Sequence, residues 1–348
     1  MTQDQNTAPE ALTSERLDAY GCTPALAQAL AALPAAQPGW QAARIVRVER
    51  NQYLLETADG PREGVWPAGR RHKLLDVPVI GDWVACSGAA NTPDEALRIE
   101  TVLERQNTFI RSVQKGRRTQ PQVLAANVDT VLIVTSPDEW DVERLERYVE
   151  AVQLSQAQPV ILLNKTDEVR GSLERWTNAG LNVPVLPISA AEGQGLEALA
   201  EYLAPGRTAA LIGSSGVGKS TLTNALLGQE LSRAGDMSEL TGEGRHTTTW
   251  RTLYRLPQDG PGRGALLIDN PGLRDIAVWD EEGAAFWAIE ELAADCRYSR
   301  CTHGREEGCA VQAAVARAEL DADLVDRYRE QMAAQEAPRR TSRGKRRR

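Results

Sequence analysis

Residues 160–169 read VILLNKTDEV and residues 213–220 read GSSGVGKS, and the order of these two stretches decides the fold. The first is an apolar run that ends in Asn164-Lys165-Thr166-Asp167, the N-K-x-D pattern that reads guanine. The second is a full match to G-x-x-x-x-G-K-[ST], the phosphate-binding loop. Guanine-nucleotide domains ordinarily run phosphate loop first and base-reading motif later. Here the base is read before the chain has built a place for the phosphates.

Both motifs sit in the right local context. TAALI before Gly213 predicts a buried strand, and KSTLTNALLG predicts a helix. In a strand–loop–helix unit the backbone N–H groups of Gly213, Ser214, Ser215, Gly216, Val217 and Gly218 curl around a phosphate at a helix N-terminus. Lys219 then neutralises β- and γ-oxygens, Ser220 offers Mg²⁺ a hydroxyl, and Thr221 follows in the same helical turn. Guanine presents N1–H and its 2-amino group as adjacent donors, and the Asp167 carboxylate accepts both. Asn164 can tie this loop to the phosphate loop, and the alkyl stem of Lys165 can cover the base. PISA follows the next apolar run, so Ser189-Ala190 presents the Ala190 N–H to guanine O6. This set assigns GTP rather than ATP.

Two pieces complete the site. GRHTTTW (244–250) is a Gly-flanked Thr cluster suited to supply a Mg²⁺ ligand. LLIDNPG (266–272) is a strand ending in Asp269, which can hold Mg²⁺ through water, with Gly272 placed to offer its N–H to the γ-phosphate. The five elements occur in permuted order. A sheet needs its strands in space rather than in a given chain order, so a compact domain whose ends lie close together tolerates circular permutation.

Downstream, CRYSRCTHGREEGC places Cys296, Cys301, His303 and Cys309 at C-x4-C-x-H-x5-C. Three thiolates and one imidazole are the donor set of a closed tetrahedral site, so one structural Zn²⁺ is expected. Five Cys in 348 residues are too few for a disulfide scaffold.

Short alternating runs between Trp40 and Arg105 predict a small β-barrel, of OB type or SH3-like. The alternation of apolar runs and helical stretches after residue 123 predicts an α/β domain with a mostly parallel sheet. The expected organisation is a flexible extension (1–38), the barrel (39–105), a basic linker (106–122), the permuted GTPase domain (123–280), a helical zinc-binding domain (281–335) and a basic tail (336–348). RQNTFIRSVQKGRRTQPQ (105–122) has five basic and no acidic residues, and is either a linker or a strap facing nucleic acid. The net charge of −8 includes seven positive charges in the last ten residues, leaving −15 for the rest (−8 minus 7). A uniformly acidic body argues against non-specific coating of nucleic acid. The tail is either a solubilising end or a local polyanion contact. No apolar run reaches the ~20 residues of a membrane span, and MTQDQNTAPEALTSERL lacks a signal-peptide layout. A cytoplasmic, non-membrane, monomeric protein is expected.

The barrel, the permuted series NKTD, SA, GSSGVGKS, GRHTTT and DNPG, and the zinc spacing together resemble the RsgA (YjeQ-type) family of small ribosomal subunit biogenesis GTPases, over about residues 40–330. The resemblance implies an OB-fold barrel, a permuted GTPase domain and a zinc-finger domain. It implies binding to late-assembling small (30S) subunits through 16S rRNA, GTP hydrolysis stimulated by the ribosome, and departure as GDP forms. It makes His246 the favoured catalytic residue, and alignment with related switches makes Thr248 the Mg²⁺ ligand, with Thr247 and Thr249 as rivals. Two positions depart from pattern. Asn270 stands where the family usually has Thr, and Leu273 stands where Ras-like enzymes carry a water-orienting Gln, so intrinsic turnover should be slow. The alternatives are a GTP-gated rRNA-binding module in which hydrolysis only resets binding, or a GTPase acting on a non-ribosomal RNA partner.

Overall fold

The computed structural model describes residues 15–29, 39–49, 52–67, 77–88, 95–115, 118–229, 251–269, 289, 292–293, 295–298 and 301–336. It divides into two compact units, Met1–Val113 with Gln122–Val278, and Gln114–Pro121 with Trp279–Arg348.

The first unit opens with a closed barrel of β1 (Trp40–Glu49), β2 (Gln52–Thr57), β3 (Gly60–Val65), β4 (Trp83–Ser87) and β5 (Leu97–Val102). Its order is β1-β2-β3-β5-β4, and β4 returns to pair with β1. All neighbours are antiparallel except β3 and β5. This is the OB-type closure, which settles the choice that the short alternating runs left open. The side-chain period of two sends Leu97 and Ile99 of β5 inward and Arg98 outward. They meet Ala43, Ile45, Tyr53, Leu55, Val84 and Cys86 in the barrel core.

Residues 106–122, read from sequence as a linker or a strap, lie largely in two paired strands, β6 (Thr108–Lys115) and β7 (Arg118–Ala126). The α/β part then runs β8 (Thr130–Thr135), α1 (Val142–Leu154), β9 (Gln158–Leu163), β10 (Val185–Pro187), β11 (Thr208–Ile212), α2 (Lys219–Leu227), β12 (Arg251–Arg255) and β13 (Leu266–Asp269). The strands order as β10-β9-β8-β11-β13-β12, parallel throughout except for β12. A parallel sheet is covered on both faces, so its strands read as continuous apolar runs. Val131, Ile133, Ile161 and Ile212 point to one core with Leu145 and Val152 of α1. Leu132, Val134, Leu162 and Leu211 point to the other, with Leu222 and Leu226 of α2. Asp141 caps α1 as its position predicts, accepting the Arg144 N–H at 3.1 Å. GLEALAEYL, read as helical, forms a 3₁₀ turn over Leu196–Glu201.

A buried polar seam holds the barrel to the α/β sheet. Asp82 is fully buried and accepts a two-pronged bond from Arg105, at 2.8 Å and 2.7 Å, plus the Val79 N–H at 2.8 Å. Burial pushes its carboxyl pKa up while Arg105 pulls it back, so the pair stands against a desolvation cost. Arg44 of β1, also buried, crosses to Thr208 Oγ1 of β11 at 2.8 Å, and Asn127 donates to the Gly81 carbonyl at 3.0 Å. Removing one partner of such a pair strands the other charge. Asp82→Ala is therefore expected to destabilise the first unit by about 3 kcal/mol or more, read as a lower urea midpoint. An unchanged midpoint would mean that the seam contributes nothing to stability.

Candidate nucleotide site and metal centre

Parallel strands bring their C-terminal ends to one edge of the sheet, where open α/β sheets bind ligands. Asn164 follows β9, Ser189-Ala190 follow β10, Gly213 follows β11, and Asp269 ends β13. Motifs far apart in sequence thus share one edge.

The phosphate loop runs through positive φ at Gly213 (139°), Gly216 (85°) and Gly218 (96°). A Cβ on Gly213 would stand 2.1 Å from the Val134 carbonyl oxygen, and one on Gly218 would stand 2.3 Å from Asn164 Nδ2. These are glycines by backbone conformation and by space. Val217 is buried and anchors the loop in the core beneath. Lys219 Nζ lies back over the loop, donating to the carbonyls of Gly213 at 2.8 Å and Ser214 at 2.5 Å. Ser214 is half-buried, while Ser215, Ser220 and Thr221 are exposed.

Asn164 is the joint of the site. Its buried side chain donates from Nδ2 to the Val217 carbonyl at 2.8 Å and accepts the Ala190 N–H on Oδ1 at 2.9 Å. One amide therefore links the ends of β9, β10 and β11. Its tie to the phosphate loop matches the sequence reading, whereas the Ala190 N–H, expected to meet a base oxygen, is held by Asn164 in this structure. Lys165 takes the left-handed backbone conformation, φ 63°, at the strand end. Thr166 Oγ1 donates to the Ile188 carbonyl at 2.9 Å, and Asp167 next to it is exposed. Ser189 is fully buried, its Oγ accepting the Glu192 N–H at 3.2 Å. No local signal could have announced the Val134 carbonyl as a wall of the loop, because it comes from a strand about 80 residues upstream. His246, Thr247, Thr248, Thr249, Asn270, Gly272 and Leu273 lie outside the described residues.

Gly218→Ala puts a methyl group against the Asn164 amide at a φ that alanine rarely adopts. Backbone strain of this kind costs about 1–3 kcal/mol, so GDP affinity should fall about tenfold to a hundredfold. Titration with a fluorescent GDP measures it, and unchanged affinity would show that binding does not use this loop shape.

In the second unit the ligand atoms of Cys296, Cys301, His303 and Cys309 all lie within 4.8 Å of one another, a metal-ligand cluster. His303 Nδ1 is 3.6 Å from the sulfurs of Cys296 and Cys309, which are 3.8 Å apart. Cys309 also caps α3 (Ala310–Ala316), accepting the Gln312 N–H at 3.4 Å. Gln312 Nε2 donates to the His303 carbonyl at 2.7 Å, and His303 takes φ 56°. Glu306 fixes the turn around His303, accepting the N–H groups of Thr302 (2.7 Å) and Gly304 (2.8 Å) and the Thr302 hydroxyl. These bonds, the Thr302 hydroxyl foremost, pull its carboxyl pKa down to about 2. Nothing in the ligand spacing alone pointed to Gln312 or Glu306.

A family model described as RsgA GTPase matches residues 102–279. The chain is 40% identical over 309 residues to the small ribosomal subunit biogenesis GTPase RsgA of Opitutus terrae, covering 83% of this chain and 82% of that protein. It is 39% identical over 326 residues to the protein of the same name from Streptomyces coelicolor, covering 91% and 86%. Among solved structures, YjeQ from Thermotoga maritima is 25% identical, with a TM-score of 0.49, covering 86% of this chain and all of that one. With the permuted strand order, the Asn164 joint and the glycine-shaped phosphate loop in place, this chain belongs to the RsgA GTPase family.

Proposed function

We propose that the protein is a GTPase that binds the small ribosomal subunit and acts in its late assembly, with the subunit stimulating hydrolysis of GTP to GDP and phosphate. The observation that carries this reading is the Asn164 amide joining the base, Ser-Ala and phosphate loops, in a chain whose relatives are named for small-subunit biogenesis. Asp167 is exposed at the end of the base loop, free to accept guanine's two donors. The backbone amides of 213–218 and the Lys219 ammonium would hold the phosphates. Ser220, Asp269 and Thr248 would hold Mg²⁺, which neutralises charge developing on the transferred phosphoryl. Leu273 cannot orient water, so activation falls to His246 or to the partner. No helix among the described residues is long and apolar enough to cross a membrane, and we place the protein in the cytoplasm as a monomer.

Zinc fits the cluster of the second unit. With Zn–S near 2.3 Å and Zn–N near 2.05 Å, a tetrahedral ion requires sulfur–sulfur edges of about 3.8 Å and sulfur–nitrogen edges of about 3.6 Å. The Cys296–Cys309 separation of 3.8 Å and the Cys296–His303 and Cys309–His303 separations of 3.6 Å support that assignment. Four protein donors leave no open position, so the role is structural.

The test is GTP hydrolysis by the purified protein, alone and with isolated 30S subunits, 50S subunits or bulk tRNA at matched salt. A large rise with 30S alone is expected, and equal small responses to every polyanion would overturn the ribosomal reading. Leu273 also favours a second reading, in which the subunit tightens binding and hydrolysis only resets it. His246→Ala separates the two, because lost stimulation with binding retained supports catalysis.

A further inference from the structure

Strand β1 serves both the barrel and the α/β part of one sheet, and a bulge divides its service. Its first half, Trp40–Arg44, pairs with β4 in the barrel. Its second half, Arg47–Val48, pairs antiparallel with Thr252 and Arg251 of β12, at the edge of the α/β sheet. Between them the register against β2 shifts, Ile45 facing Leu55 and Arg47 facing Leu54, so Val46 is the extra residue. A bulge bends its strand and re-aims the side chains that follow. Ile45 belongs to the barrel core and Val46 to the core beneath the α/β sheet. The barrel therefore continues the sheet that carries the nucleotide site, giving eleven strands in one ladder.

The pairing falls at a particular place. Thr252 faces Arg47 on one side and Asp269 on the other. Directly opposed residues point to the same face of a sheet, about 5 Å apart per strand. Arg47, Thr252 and Asp269 thus form one transverse row from the barrel to the end of β13. Tyr254, two residues along the same face, senses both charges. Burial raises its hydroxyl pKa, a bond with Thr252 lowers it, and then Asp269 raises and Arg47 lowers it. Among the described residues, two pairs join β1 to β12 and six join β1 to β2.

We propose that β1 is a positioning element for the nucleotide site, the Arg47–Thr252 pairing holding Asp269 in register, so that the bound nucleotide and the β1–β12 contact bias one another. This rests on reading Asp269 as part of the GTP site. Coupling is reciprocal, so a partner that loads the barrel alters the same row from its other end. The bulge keeps the effect on the backbone local, because the main chain of Trp40–Arg44 pairs with β4 and only the Arg44 side chain reaches β11.

Amide hydrogen exchange on the full chain, resolved by residue, tests this with Mg²⁺ and either GDP or a non-hydrolysable GTP analogue, affinities being measured on the same samples. Exchange at 47–49 and 251–252 is expected to differ together by about fivefold or more between the two states, with 42–44 unchanged. A change at 251–252 without one at 47–49 overturns the proposal, as does equal exchange in both states or a uniform change across 40–49. If neither nucleotide binds, the GTP-site reading falls and takes the proposal with it. If both bind and the row responds, the coupling stands whatever 30S subunits do to turnover.

Discussion

Cys309→Ser is expected to strip the metal from the second unit and unfold its residues 301–336, while GTP binding by the first unit survives. Serine is close to isosteric with cysteine, so no cavity explains the loss. A serine hydroxyl is also a better helix cap than a thiol, and Cys309 caps α3, so the helix start should gain rather than suffer. What disappears is one donor of four. Among the described residues, the core behind the cluster buries Ile289, Cys309, Val311, Val325 and Tyr328. Structural zinc contributes about 10–16 kcal/mol of apparent binding free energy to small domains, so loss of one donor removes a large share of what holds such a unit folded. Metal content should fall from about one zinc per chain to about a tenth or less, with fast hydrogen exchange through α3. Cys22→Ser, in the first unit and not a member of the cluster, should change neither. Full zinc content and an unchanged melting curve in the Cys309 variant would sink the metal assignment.

The phosphate loop, the base loop and the metal spacing were legible because each is local. Gly213 to Ser220 announces its loop in eight residues, and its strand and helix stand on either side. Likewise, the alternation of apolar runs carried the parallel sheet. The barrel type was not legible, because closure depends on β3 meeting β5 in parallel and β4 returning to β1, pairings between residues tens of positions apart. The strands at 108–126 were hidden for a related reason. A basic stretch without a helical period or a clear apolar alternation reads as linker, and only its pairing partner makes it a strand. Buried charge was also out of reach. Arg44, Asp82 and Arg105 look like surface residues until two layers close over them. Within the site, the chain order exposed the permutation, whereas the Asn164–Ala190 bond needed the strand ends side by side.

Asp167→Asn should exchange the base that the site accepts without touching the fold. The side chain is exposed, and its neighbour Thr166 holds the loop through the Ile188 carbonyl. The melting curve should therefore stay where it is. Guanine offers two donors to this position, and a carboxylate meets both with charge-assisted bonds. An amide keeps one acceptor and turns an N–H₂ group toward the 2-amino group, setting donor against donor. Sites built to hydrogen-bond a group reject a ligand that cannot complete the bond by about 10⁴-fold or more, and GTP affinity should fall by about that factor. Xanthine reverses the pattern. Its 2-position is a carbonyl, which accepts from the new amide while N1–H still donates to the remaining oxygen. XTP should then bind the variant in preference to GTP, and stimulated hydrolysis should return when XTP is supplied. Equal affinities for the two nucleotides, before and after substitution, would remove Asp167 from base recognition. Recovery with XTP would show that the rest of the site, from Asn164 to Asp269, acts on phosphates independently of the base that delivers them.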